Sequence, residues 1–359
     1  MKVLILHNSF LALEADTIFN MRSSIKRAAK TTLKAEPIKK SKELPKKSQI
    51  KANIPKNYHE KPILSLGTLV QGTVLQRPSK HNKSPYVADV KLDDGAEEVI
   101  AHAPMLDLGG LIRPGTVVRM TKSKPGGKTS HAIQLVGFKE ISCDKDQVIT
   151  WIGAHPSLGN AVAKILLEGN YISNDVLGDQ SKSTITKVQS EVTMKSKKED
   201  TVRSDFVVNE KVVVEVKSCV CADYHKHSAP ESDKKDRYVT VVSNEDKIEK
   251  YKRAGLFPIG KRAQNFEGEK VVSERCIKHL RHLARIVQGE DDNGYKESCL
   301  LMIVNRGDCS RFRPCREACP VFADEFSKAK LAGVRIIAAK VTWNKEGDCH
   351  FEGLLPVDV

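Results

Sequence analysis

The chain has 359 residues, 40% hydrophobic and 29% charged, with a net charge of +14 and a pI of about 9.2. That length suits two ordinary domains plus an extension, and no apolar run reaches the roughly 18 residues a membrane span needs. So basic a balance points to a polyanionic partner, nucleic acid ahead of an anionic membrane surface.

The first twenty residues are apolar, but Glu14 and Asp16 make them a poor signal peptide. Met21 to Lys34 is rich in Arg, Lys, Ser, Thr and Ala, with no acid until Glu36. That composition fits an organelle transit peptide or a basic arm for nucleic acid. Ala35 to Lys61 sets Pro37, Pro45 and Pro55 among lysines and reads as a linker. Residues 1–60 are therefore expected to be a basic disordered extension, with 13 Lys/Arg against 5 Asp/Glu.

From Ile63 to Phe138, short apolar runs alternate with Gly and Pro turns. The runs are Gly67–Leu75, Tyr86–Leu92, Glu98–His102, Thr116–Met120 and Ala132–Val136. Asp93-Asp94-Gly95 and Pro114-Gly115 are turn chemistry. Five short strands predict a small OB-like barrel over 61–140. Arg77, Lys80, Lys83, Lys122, Lys124 and Lys128 fall at its loops, where they could track a phosphate backbone. Tyr86 is the one aromatic placed to stack a base.

From Asp144 the pattern becomes α/β, with a helix expected over Asn160–Glu168. Then comes a hairpin: Arg203-Ser204-Asp205-Phe206-Val207-Val208, a polar turn, and Val212 to Ser218. The pleat puts Glu215 and Lys217 on one face, with Val214 and Val216 turned to a core. Asp205 can reach the face of the pair. Two carboxylates and a Lys on a strand surface suit a metal-dependent phosphodiesterase, the carboxylates holding a hard cation that activates water. A plain surface ion pair between Glu215 and Lys217 is the alternative. Residues 221–264 read as a long polar insertion leaving the fold. An amphipathic helix follows, with Ser273 as N-cap. Its apolar face carries Ile277, Leu280, Ala284 and Val287, and its basic face Arg275, Lys278, His279 and His282. Strand Leu300–Asn305, helix Val321–Ala332 and strand Val334–Trp343 complete the pattern. Of nine cysteines, eight lie between Cys219 and Cys349, without paired C-x₂-C zinc spacing, and read as reduced thiols.

Together these features resemble the sugar fermentation stimulation protein family. Arg203-x-Asp205-Phe206 with Val214-Glu215-Val216-Lys217-Ser218 matches its central motif, and Ser190-Glu191-Val192 precedes it. Ser273-Glu274-Arg275-x-x-Lys278-His279-Leu280 matches the following helix. Asn160 after Pro156, Tyr86 to Val90, His102-Ala103-Pro104 and Leu355-Pro356-Val357 also fit. The chain departs from the family in its extension, in its longer 221–264 segment, and at Gly268 to Val271 and Met105 to Asp107. The resemblance implies an OB-like barrel followed by a restriction-endonuclease-like (PD-(D/E)xK) α/β domain over 141–359. It implies DNA binding without strong sequence preference, with RNA as the other polyanion. A magnesium-dependent nuclease using Asp205, Glu215 and Lys217 is the alternative. Metal ligands would be Asp205, Glu215 and Glu191, with Mn2+ replacing Mg2+; DNA contacts would be Arg77, Lys80, Arg203, Arg275, Lys278 and His279. The expected setting is intracellular, with an organelle or the nucleus suggested by the extension; a homo-oligomer stays open.

If the extension is a nucleic-acid arm, deleting residues 1–60 should flatten the salt dependence of duplex DNA binding. Each phosphate that the shortened chain leaves unneutralised reduces the log–log slope by about 0.9. An unchanged slope in a filter-binding titration would assign the extension to targeting instead.

Overall fold

The computed structural model describes residues 61–95, 97–105, 108–139, 149–178, 184–195, 202–229, 239–291 and 294–359. The basic extension and the middle of the 221–264 insertion lie outside the described residues.

After a short β1 (Leu64–Ser65), the expected apolar runs form β2 (Val70–Gln76), β3 (Val87–Leu92), β4 (Glu98–His102), β5 (Val117–Lys122) and β6 (His131–Lys139). They neighbour one another in the order β4-β3-β2-β5-β6. β4 also pairs in parallel with β6 through Ala101↔His131 and His102↔Ala132, which closes the five strands into a ring. Val74, Ala88, Val90, Val118, Met120 and Ile133 supply much of its core. The ring is not a sheet of its own. β6 pairs with β7 (Ile149–Gly153), and Trp151 of β7 faces Trp343 of a later strand, Arg335–Trp343, so ring and α/β strands share one sheet.

The α/β part begins with α1 (Ser157–Glu168) and the short α2 (Ser173–Leu177). Next come β8 (Val188–Met194), β9 (Val202–Val208) and β10 (Val212–Cys219). The insertion contributes β11 (Cys221–Ala222) and β12 (Ala254–Phe257), followed by β13 (Gln264–Phe266) and β14 (Glu269–Val271). The remainder is α3 (Glu274–Gln288), β15 (Glu297–Val304), β16 (Arg311–Pro314), α4 (Pro320–Ala332), β17 (Arg335–Trp343) and β18 (Asp348–Leu355). α1 starts one turn earlier than the sequence suggests, because Ser157, Leu158 and Gly159 continue its pattern. Ser273 caps α3 as expected, its side chain accepting from the Cys276 N–H.

β10, β15 and β17 run parallel, flanked by antiparallel β9 and β8. Parallel strands are covered on both faces, which accounts for the near-continuous valines of β10. Val212, Val214 and Val216 pack with Leu158, Val162 and Leu166 of α1. Val213 packs on the other face with Ile277, Leu280 and Leu283 of α3 and Phe322 and Phe326 of α4. This corrects the expectation of an open face for Glu215 and Lys217: they point under α3. His282 also differs from expectation. It is buried, with Nδ1 3.1 Å from the Asp291 carboxylate.

The insertion is less of an excursion than its polarity suggests. β11, β12 and β16 form a three-stranded sheet, and Val241, Ala254, Leu256, Cys315 and Ala318 form a small core. Polar residues are buried there because they pair. The fully buried Arg306 donates twice to Asp308, both at 2.7 Å, and to the Val220 carbonyl at 3.0 Å. Arg253 donates to the same carboxylate at 2.7 Å. Both guanidiniums lie over the Phe138 ring of β6, at 5.2 and 5.5 Å from its centroid. Burial works to raise the Asp308 pKa, but the two arginines overcome it and hold the carboxyl well below the usual range. The eight described cysteines are free thiols, seven of them buried. No described helix is long and apolar enough to cross a membrane.

Replacing Asp308 with Asn strands two buried guanidiniums. Breaking a buried pair from one side costs about 3–5 kcal/mol, which urea unfolding at neutral pH should show. A loss below about 1 kcal/mol, the range of exposed pairs, would mean that the arginines find other partners.

Candidate functional site

Four elements meet at one end of β10. The β9–β10 ladder runs only from Val208↔Val212 to Phe206↔Val214, whereas β9 stays paired with β8 as far as Val202. β9 therefore parts from β10 just where Asp205 begins. Its carboxylate occupies the gap and takes over a ladder role: Oδ2 accepts from the Val216 N–H at 2.8 Å. Oδ1 accepts from Asn160 Nδ2 of α1 at 3.0 Å.

Beside it, Glu215 and Lys217 project from β10 towards α3, and their side chains keep only 6% and 14% of their surface exposed. Glu215 Oε1 is in hydrogen-bond contact with both Lys217 Nζ and His279 Nδ1. Arg275 Nε donates to His279 Nε2 at 3.3 Å. With Nε2 accepting, the ring proton sits on Nδ1 and is given to Glu215. Lys217 Nζ and His279 Nδ1 are then two donors 3.4 Å apart, converging on one oxygen.

The electrostatics follow from burial and closeness. Burial works to raise the Glu215 pKa, but the Lys217 charge and the His279 hydrogen bond outweigh it and lower it. Lys217 is the converse: burial works to lower its pKa, and Glu215 raises it on balance. Asp205 is raised, by burial first and then by the charge of Glu215; the Val216 N–H, Lys217 and Asn160 oppose the rise only in part. Two carboxylates thus crowd one another beside a single ammonium.

The remaining sequence candidates are dispersed. Glu191, on β8 with φ +58°, gives its carboxylate to Arg203 at the exposed edge of the sheet. Among the described residues, no group of three His, Cys, Asp or Glu side chains is arranged to hold a metal ion. Arg275 and Lys278 are exposed on α3, and Lys278 pairs with Glu274 at 2.8 Å. His279 faces Glu215 rather than solvent. Lys80 is exposed and pairs with Glu98 at 3.0 Å. Arg77 is committed to carbonyls of the ring, donating to Pro85 in its own loop and to Ala103 and Met105 after β4, at 2.9, 3.3 and 2.8 Å. The contact from Asn160 to Asp205 was not foreseen from the sequence; the only signal was an Asn in the first turn of a helix.

The segment 270–347 matches the family described as "Sugar fermentation stimulation protein RE domain". A sugar fermentation stimulation protein homolog from Cyanothece sp. is 26% identical over 284 residues, covering 79% of this chain and 92% of the relative. One from Synechococcus elongatus is 26% identical over 295 residues, covering 81% and 96%. The chain is thus similar to sugar fermentation stimulation proteins along most of its length, and to their RE-domain model over 270–347. A solved structure of the Pyrococcus furiosus SfsA protein, described as in complex with Ca2+, matches this fold with a TM-score of 0.55. It is 17% identical, with 83% of this chain and 99% of that one covered. The 270–347 family segment contains α3 with Arg275, Lys278 and His279, while Asp205, Glu215 and Lys217 precede it.

The raised Asp205 pKa has a defined sign in stability. Its favourable contribution is complete below 3.8, the ordinary value, and is lost as pH rises through the raised folded-state value. Asp205→Asn stays neutral, so its stability relative to wild type should climb across that interval. Paired urea titrations from about pH 3 to pH 7 check this. A pH-independent gap between the two proteins would show that Asp205 ionises in the fold as readily as in the open chain.

Proposed function

We propose that this protein binds DNA without strong sequence preference and cleaves its phosphodiester backbone at Asp205, Glu215 and Lys217, with magnesium as cofactor. The observation that carries the reading is the crowding of the Asp205 and Glu215 carboxylates beside the Lys217 ammonium. Crowded carboxylates raise one another's cost of ionisation, and a hard divalent cation relieves it. The donor set is all oxygen, which suits Mg2+ or Mn2+ rather than a thiolate-seeking ion. Two carboxylates are enough, since Mg2+ keeps several waters and takes phosphate oxygens for the rest. The description of the Pyrococcus furiosus protein in complex with Ca2+ supports a hard-cation site.

In this reading Asp205 and Glu215 would hold the ion, which supplies an activated water and stabilises charge on the phosphate. Lys217 positions Glu215 and keeps a positive charge next to the phosphate oxygens. His279 fixes the Glu215 rotamer, and Arg275 braces His279 in one tautomer. Arg275 and Lys278 on α3, Arg203 on β9 and Lys80 on the ring offer backbone phosphate contacts. We read the five-strand ring as the OB-like barrel and the sheet of β8, β9, β10, β15 and β17 with its helices as the PD-(D/E)xK nuclease-like domain, divided near residue 140. The net charge of +14 supports a polyanionic partner.

A second reading, DNA binding without cleavage, draws on two contacts. Lys217 and His279 share one Glu215 oxygen, and Glu191 is engaged by Arg203.

The test is incubation of wild type and Glu215→Gln with single- and double-stranded DNA, with and without Mg2+ or Mn2+. Wild type should cleave only with metal. Glu215→Gln should lose at least about 100-fold in rate, the scale of a few kcal/mol of charge stabilisation. It should bind DNA as well as wild type or better, having lost a negative charge. Binding by both proteins with cleavage by neither would leave the second reading.

A further inference from the structure

We infer that Asn160 is a positioning residue for the metal-ligand carboxylate of Asp205, and that the seat of α1 on β10 sets its reach. The inference rests on the metal reading of the Asp205–Glu215 pair. Asp205 sits where β9 has left β10, so no sheet ladder fixes its side chain from both sides. Two hydrogen bonds do so instead. The Val216 N–H holds Oδ2 at 2.8 Å, and Asn160 Nδ2 holds Oδ1 at 3.0 Å. The first is built into the strand. The second comes from another element, so its length depends on how closely α1 approaches.

That approach is tightly set. Gly159, next to Asn160, lies against Ser218 of β10: a Cβ on Gly159 would sit 3.1 Å from Ser218 Cβ. Ser218 is held from behind, its Oγ accepting from Asn305 Nδ2 at 2.7 Å. Asn305, fully buried, in turn accepts from Trp343 Nε1 at 3.2 Å. Gly153 leaves room for this pair, since a Cβ there would lie 2.9 Å from Trp343 Nε1 and 3.0 Å from Asn305 Oδ1. Two glycines and one hydrogen-bonded line therefore place the first turn of α1 over the strand gap. Asn160 is itself exposed and makes no core contact, so its amide can act on Asp205 without carrying the fold. Groups that orient a ligand in this way are commonly worth 10–100-fold in metal affinity.

The test is calorimetric titration of Mn2+ into the full chain, alongside unfolding midpoints without metal. Asn160→Ala should weaken Mn2+ binding by about tenfold or more while the midpoint holds, since alanine is the better helix former. Asn160→Gln, with an amide that can fold back to the same oxygen, should recover part of the loss. Gly159→Ala keeps the amide but lifts the helix, and should also weaken Mn2+ binding. Lys164→Ala, on the exposed side of α1, should change nothing. Wild-type Mn2+ affinity in Asn160→Ala would overturn the inference while leaving the metal site standing, as would an equal loss in Lys164→Ala. Absence of Mn2+ binding by wild type, matched by Glu215→Gln, would remove the metal reading and this inference together.

Discussion

The structure turns on a charge pair buried in a strand that is covered on both faces. β10 lies inside a parallel sheet, with α1 against Val214 and Val216 and α3 against Val213. Glu215 and Lys217 take positions that valine would fill at lower cost. Removing two charges from water costs several kcal/mol each, and their attraction returns that only with good geometry and further hydrogen bonds. His279 provides one such bond from α3. The docking of α3 and the ionisation of Glu215 therefore depend on each other. A buried ion pair is a poor stabilising device compared with packed aliphatics, so its presence in this core is better explained by chemistry than by stability.

The same reasoning explains Asp205. A strand that leaves its neighbour exposes backbone donors, and a buried unpaired N–H is costly. Asp205 answers the Val216 N–H with a side chain, which keeps the split in the sheet without an orphaned donor. The split in turn gives the carboxylate a place beside Glu215 that regular pairing would have closed. The cost appears as the raised pKa of Asp205. Strand geometry and carboxylate chemistry are thus one constraint.

Local features were legible in the sequence. The hairpin of β9 and β10 showed in its two β-branched runs, α3 in its Ser273 cap and period, and the ring strands in their Gly and Pro turns. The side-chain pattern also placed Glu215 and Lys217 together. What covers them was not legible, because it depends on α3, whose His279 comes 64 residues after Glu215 in the chain. Polarity misled in three places for one reason: a polar residue with a partner can be buried. Arg253, inside a segment that reads as solvated, shares Asp308 with Arg306. His282 meets Asp291 and turns inward from a face shared with Arg275. Arg77 looks like a surface cation, but its guanidinium serves three carbonyls, one in its own loop and two after β4. Glu191 is the converse case, adjacent to the site in sequence but drawn off by Arg203. None of these pairings has a periodicity that could be read from the chain.

The ring and the carboxylate site are tied by the sheet itself. β6 passes to β7, Trp151 of β7 faces Trp343 of β17, and β17 lies next to β15, the neighbour of β10. The buried arginines add a second tie, because they span from the Phe138 ring of β6 to Asp308, just beyond β15. The described residues accordingly form one compact unit. On the proposed function this has a mechanical meaning. A strand of DNA held by the ring would meet Asp205 and Glu215 at a fixed distance, without a hinge to close. Positioning would then come from the scaffold, and the energy of phosphate contacts far from the scissile bond could be used to align it.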